Sequence, residues 1–168
     1  MKKLNRKGFT LIELLAIIVI LAIIMVVTIP TVLSSMNSAR GSQLQNATDS
    51  VAEWFTKQYE LASMGSVTGG ADAAFTTFVG TDGFTSINGG AKKKALTTAV
   101  LEAAGIANAA DNIDISNTAS YVYYNTTNNK ICVQLTAKSG GSFYVNGGDT
   151  SKDREDNVDT SSGCTTSN

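Results

Sequence analysis

Apolar and polar positions divide the chain into three regimes. Every residue from Leu14 to Val27 is apolar, and no charged residue stands between Leu14 and Ala39. At a rise of about 1.5 Å per residue, Phe9 to Ile29 predicts a helix of roughly 30 Å, the thickness of a bilayer's hydrocarbon core. Past that run the helical period continues on one side only. Val32, Met36, Ala39, Leu44, Ala47, Val51, Phe55, Tyr59 and Ala62 recur at spacings of mostly three and four, with polar residues between them. The pattern predicts one helix from Phe9 to Met64, hydrophobic over 9–33 and amphipathic over 34–64, with Gly65 as its C-cap signal. Pro30, the only proline, removes a backbone hydrogen bond and predicts a kink or a loosened turn.

The middle of the chain, 65–117, is rich in Gly and Ala and predicts a connecting region with short helical pieces. Ala91 to Ala104 is the best of these, with Gly105 to stop it and Lys92, Lys93 and Lys94 as a solvated face. Strand signals come later, over 118–146. Tyr121–Tyr124, Lys130–Lys138 and Ser142–Val145 are β-rich runs separated by turn-forming stretches, and they predict an antiparallel meander. In the central run Ile131, Val133 and Leu135 alternate with Cys132, Gln134 and Thr136. The first three are expected to lie on the outer half of the long helix, and Cys132 on the opposite, exposed side. The fold class is therefore α+β, a long N-terminal helix packed on a small antiparallel sheet of three or four strands.

Charge changes the meaning of the first regime. Lys2, Lys3, Arg6 and Lys7 precede the apolar run and orient it with Met1 in the cytoplasm and the rest outside. A secretory signal peptide begins in the same way. Here, however, the apolar run is longer than an ordinary signal core, no good cleavage site follows it, and a carboxylate, Glu13, stands at its start. An ionised carboxylate costs about 2.5–3.5 kcal/mol at mid-membrane and less near an end, so Glu13 calls for a partner.

Gly8-Phe9-Thr10-Leu11-Ile12-Glu13 resembles the cleavage motif of type IV prepilins and the related pseudopilins. The resemblance implies a pilin-like fold and a cytoplasmic leader, residues 1–8, cut by a prepilin peptidase between Gly8 and Phe9, with Phe9 then N-methylated. It also implies that Glu13 pairs with the terminal amine of a neighbouring subunit's Phe9 during assembly, and that the helix near Pro30 takes part. An ammonium and a carboxylate sharing a low-dielectric site relieve each other's desolvation cost.

Composition narrows the chemistry. The leader holds four of the thirteen basic residues against fourteen acidic ones, so the processed chain is distinctly acidic and offers no basic stripe for nucleic acid. Histidine is absent, which removes the commonest general base and transition-metal ligand. Cys132 and Cys164 both fall on the outer side of the membrane run, where disulfides persist, and are expected to pair. Closing that loop of about thirty residues contributes about 3–4 kcal/mol on the chain-entropy view and staples the C-terminal loop, 147–168. Asp149, Asp153, Glu155, Asp156 and Asp159 are weak candidates for calcium ligands, since their spacing departs from the EF-hand pattern and a solvated acidic loop explains them more simply. The resemblance supports calcium only in that major pseudopilins carry it in C-terminal loops.

The expected function is structural: a pilin that leaves the cytoplasmic membrane and polymerises with itself into a cell-surface filament for adhesion, motility or DNA uptake. Its partners would be the prepilin peptidase, the pilus assembly platform and copies of itself. A pseudopilin of a secretion or competence machine is the nearest alternative. A membrane-anchored enzyme or binding domain is the alternative from another class, and no catalytic constellation in the sequence supports it.

Overall fold

The computed structural model describes residues 9–64, 70–80, 85–86, 91–116, 119–125 and 130–145. It also describes the backbone of the short strands at 151–153, 158–159 and 163–164. The chain forms two compact units, Met1–Ser38 and Ala39–Asn168. One helix, α1 (Leu11–Ser63), carries residues of both. It begins two residues later than the apolar run suggests because Thr10 serves as its cap, and it stays helical through Pro30. Of the kink or loosened turn expected at Pro30, the loosened turn is not found. The hydroxyls of Thr31 and Ser35 turn back onto the carbonyls of Val27 and Thr31, each at 3.0 Å, so these polar groups are satisfied within the helix.

In the second unit, Leu44, Val51, Ala52 and Phe55 of α1 are buried on one stripe, as the helical period requires. They pack on a five-stranded antiparallel sheet and three shorter helices. In chain order these are α2 (Ala73–Gly80), β1 (Thr85–Ser86), β2 (Ala91–Ala95), α3 (Thr98–Ala103), α4 (Ala109–Asn112), β3 (Tyr121–Asn125), β4 (Lys130–Thr136) and β5 (Ser151–Asp153), with strand order β1-β2-β3-β4-β5. The core joins the α1 stripe to Phe75 and Phe78 of α2, Val100 and Leu101 of α3, and Val122, Val133 and Leu135 of the sheet. A residue absent from the apolar pattern, Gln58, is buried on α1, and its Oε1 accepts the backbone N–H of Asp72 at 2.7 Å. The Asp72 carboxylate in turn accepts Ala74 N–H at the start of α2.

The predicted helix over 91–104 is half wrong. Ala91–Ala95 is strand β2, paired residue for residue with β3 from Ala91↔Asn125 to Ala95↔Tyr121. Ala and Lys favour helices locally, but a full antiparallel ladder outweighs that weak preference. Only Thr98–Ala103 is helical, and it ends as expected. Gly105, at φ +96°, donates to Glu102 O while Ile106 donates to Leu101 O, a Schellman closure that needs the left-handed residue. Nor are the three lysines one solvated face. Lys92 is exposed, whereas Lys94 Nζ donates to Phe78 O at 2.5 Å and stands 4.5 Å from the Phe78 ring centre, and Lys93 lies 4.9 Å from that of Tyr121.

Two further expectations are corrected in the sheet. Ser142–Val145 is not a strand: the chain turns at Gly140 (φ +83°) and Gly141, and the place beside β4 is taken by β5 through Gln134↔Asp153 to Thr136↔Ser151. The Arg40 guanidinium then ties this turn to α1 by donating to Tyr144 O at 3.2 Å. The alternation along β4 holds, since Val133 and Leu135 enter the core while Cys132 groups with Tyr123 and Tyr121 on the far side. That far side is not exposed. Cys132 is 1% and Tyr123 0% accessible, because β7 (Gly163–Cys164), paired with β6 (Val158–Asp159), lies against β2, β3 and β4. The described strands of the polar C-terminal segment, β5, β6 and β7, thus form part of the fold.

Candidate functional site

In the N-terminal unit the candidate site is the beginning of α1 and the apolar surface that follows. Phe9 is 81% exposed, and Leu11, Ile12, Leu14 and the large apolar residues through Leu33 stand open to the surroundings. The most apolar eighteen-residue window of α1 has a mean hydropathy of 3.2, and none of it is buried within the chain. This helix is long and apolar enough to cross a membrane. In water such a surface would be untenable; it requires lipid or other apolar helices around it.

Glu13 is built into the helix start. Its Oε2 accepts the backbone N–H of Thr10 at 2.9 Å and the Thr10 hydroxyl at 2.9 Å, while Glu13 N–H points to Thr10 Oγ1 at 3.4 Å. This reciprocal arrangement is a capping box, read directly from Thr10-x-x-Glu13, and it satisfies donors that the first turn leaves without partners. The apolar run drew attention to the charge of Glu13 and away from Thr10. The carboxylate also lies at the positive end of the helix dipole, which favours it there.

Gly8 and the basic leader lie outside the described residues. So do Asp149, Glu155 and Asp156, together with the side chains of Asp153, Asp159 and Cys164, so the calcium candidates fall on residues the structure does not describe. Cys132 is placed, buried beneath β7, and the backbone of that strand carries Cys164. In the second unit the polar node nearest the sheet's end is Ser120. Fully buried, it donates to Asp114 O at 2.7 Å and accepts Thr136 N–H at 3.0 Å. Beside it, hydrogen bonds from Ser116, chiefly its backbone N–H, hold the Asp114 carboxyl below the usual carboxylate range.

Residues 3–29 match the family model described as the prokaryotic N-terminal methylation motif. The matched stretch takes in Lys3, Arg6, Lys7, Gly8, Phe9, Glu13 and the apolar half of α1 as far as Ile29, and it is the prepilin signal of type IV pilins and pseudopilins. No curated protein and no solved structure matches the chain.

Proposed function

We propose that this chain is a type IV pilin: a membrane-held precursor, cut between Gly8 and Phe9 and methylated on Phe9, that polymerises into a cell-surface filament. The observation that carries the reading is the conjunction of the methylation motif at residues 3–29 with an eighteen-residue apolar window of α1 that is nowhere buried in its own chain. Before assembly lipid covers that surface; in a filament, copies of the same helix cover it.

Glu13 fits both settings. In the precursor its Oε2 accepts from Thr10, which lowers the cost of holding a carboxylate at the membrane boundary. In the filament the same carboxylate neutralises the Phe9 amine of a neighbouring subunit. Pro30 lies in the apolar half of α1, within the stretch that packs against its copies in the filament. The outer unit, with α1 from Ala39 onward against the sheet, becomes the filament surface, and a Cys132–Cys164 disulfide holds the tail hairpin over that sheet. Burial of Cys132 beneath the strand that bears Cys164 supports this pairing.

The test is mass spectrometry of the protein recovered from cells, joined to electron microscopy of sheared surface material. The expected N-terminus is methylated Phe9, and the protein is expected in filaments that vanish when the gene is deleted. A mature chain that retains Met1, or one found only as membrane monomers, overturns the proposal.

A further inference from the structure

Beside the outer half of α1 the second unit holds a half-enclosed cavity of about 190 Å³. Its floor is the buried rings of Phe55 and Phe75, and its walls include Val79 and Ile131. The Tyr59 and Tyr124 rings close one side, their hydroxyls spent on each other at 2.7 Å. Among the described residues the one charged lining residue is Lys92, which is exposed and whose ammonium meets no acceptor there. Its neighbours on β2 differ, since Lys94 is committed to Phe78 O and the Phe78 ring.

An apolar cavity of about 150 Å³ is large enough to hold benzene, so this one has room for a ring and a short arm. Apolar walls with a single polar group fixing orientation are the usual design of a small-molecule site. From the cavity's size, its aromatic lining and the lone cation beside it, we infer that it binds a one-ring arylcarboxylate. The ring lies against Phe55 and Phe75, and the carboxylate is held by Lys92. A neutral ring forgoes the ion pair, and an arylalkylammonium brings a like charge to Lys92. The inference stands independently of polymerisation, because every lining residue belongs to the outer unit.

The experiment titrates phenylacetate into the full chain held in lipid nanodiscs and follows amide and tyrosine-ring NMR shifts, with phenethylamine as the charge-reversed probe. Saturable shifts at Val79, Lys92 and Tyr124 are expected with phenylacetate and not with phenethylamine. Lys92→Gln should weaken binding about two- to fivefold, the scale of an exposed ion pair. Val79→Trp, at a position 43% exposed, should fill the cavity and abolish binding. If that variant fails to fold, the Lys92 variant and the charge-reversed probe still decide. Absent or non-saturable shifts, equal binding of the amine, or unchanged affinity in Lys92→Gln overturns the inference. So do pocket shifts that grow with protein concentration without ligand, which assign the cavity to a neighbouring copy.

Discussion

Tyr59 on α1 and Tyr124 on β3 place their hydroxyl oxygens 2.7 Å apart, with ring centres 5.1 Å apart and planes inclined at 39°. The pair joins the far end of the helical stripe to the sheet beyond the reach of the aliphatic core. The Tyr124 phenol is pushed up to about 12, first because its bond to Tyr59 favours the protonated hydroxyl and then through burial. In the unfolded chain that phenol releases its proton near its ordinary value of 10.0. Folding therefore retains a proton across this window, and the associated stability is present below about pH 10 and lost as pH rises toward 12. Tyr124→Phe should cost about 0.5–1.5 kcal/mol at neutral pH by removing the hydroxyl bond. It should also flatten the alkaline fall in stability, read as urea midpoints across that range. A variant that keeps the wild-type alkaline slope contradicts the assignment.

Thr10 and Glu13 separate a local role from an assembly role. Thr10→Ala removes both side-chain contacts of the capping box and should loosen the first turn of α1 by about 1 kcal/mol, seen as faster amide exchange at Glu13 and Leu14. Processing and filaments should persist. Glu13→Ala removes the carboxylate itself and leaves the neighbouring amine buried and uncompensated, a cost of about 3–5 kcal/mol. Filament yield should fall at least about tenfold, by the conversion of about 1.4 kcal/mol per decade, with cleavage intact. Equal filament yields in wild type and Glu13→Ala would contradict the pairing.

Why some elements were legible in the sequence and others not follows from where their information lies. α1 declares itself through period alone, because Leu44, Val51 and Phe55 repeat on one stripe whatever they pack against. The end of α3 is equally local, set by the left-handed demand on Gly105. β2 is the reverse case. Ala91-Lys92-Lys93-Lys94-Ala95 carries a helical preference, and only the distant β3 ladder makes it a strand. The cover over Cys132 was hidden for a similar reason, since Gly163-Cys164 has no strand pattern of its own and only the distant sheet it lies against reveals β7. At the candidate site the Thr10-x-x-Glu13 spacing was visible all along, and the charge of Glu13 masked its capping role.

Ser120 offers a stability test within the outer unit. Its hydroxyl is fully buried and bridges Asp114 O and Thr136 N–H, while its own carbonyl accepts Leu96 N–H at 3.0 Å. Ser120→Ala leaves the backbone bond but strands the Thr136 amide in the interior. A buried donor without a partner costs about 1–3 kcal/mol, so the variant should unfold at lower denaturant with an unchanged slope. Ser120→Thr retains the hydroxyl and should recover part of the loss; a neutral Ser120→Ala would show that the bridge is dispensable.

The proposed Cys132–Cys164 disulfide can be distinguished from simple burial by comparing the two single variants. Cys132 is 1% exposed, so Cys132→Ser buries a hydroxyl in its place and is destabilising whether or not a disulfide exists. Cys164→Ser is the informative change. If the cysteines are paired, it should remove about 3–4 kcal/mol of loop-closure stabilisation, and the double variant should be little worse than Cys132→Ser alone. If they are not paired, Cys164→Ser should lie within about 0.5 kcal/mol of wild type and the two changes should add. Urea unfolding of the four chains, with and without a thiol reductant, reads both quantities. Reduction should bring the wild type to the level of Cys164→Ser while leaving that variant unmoved.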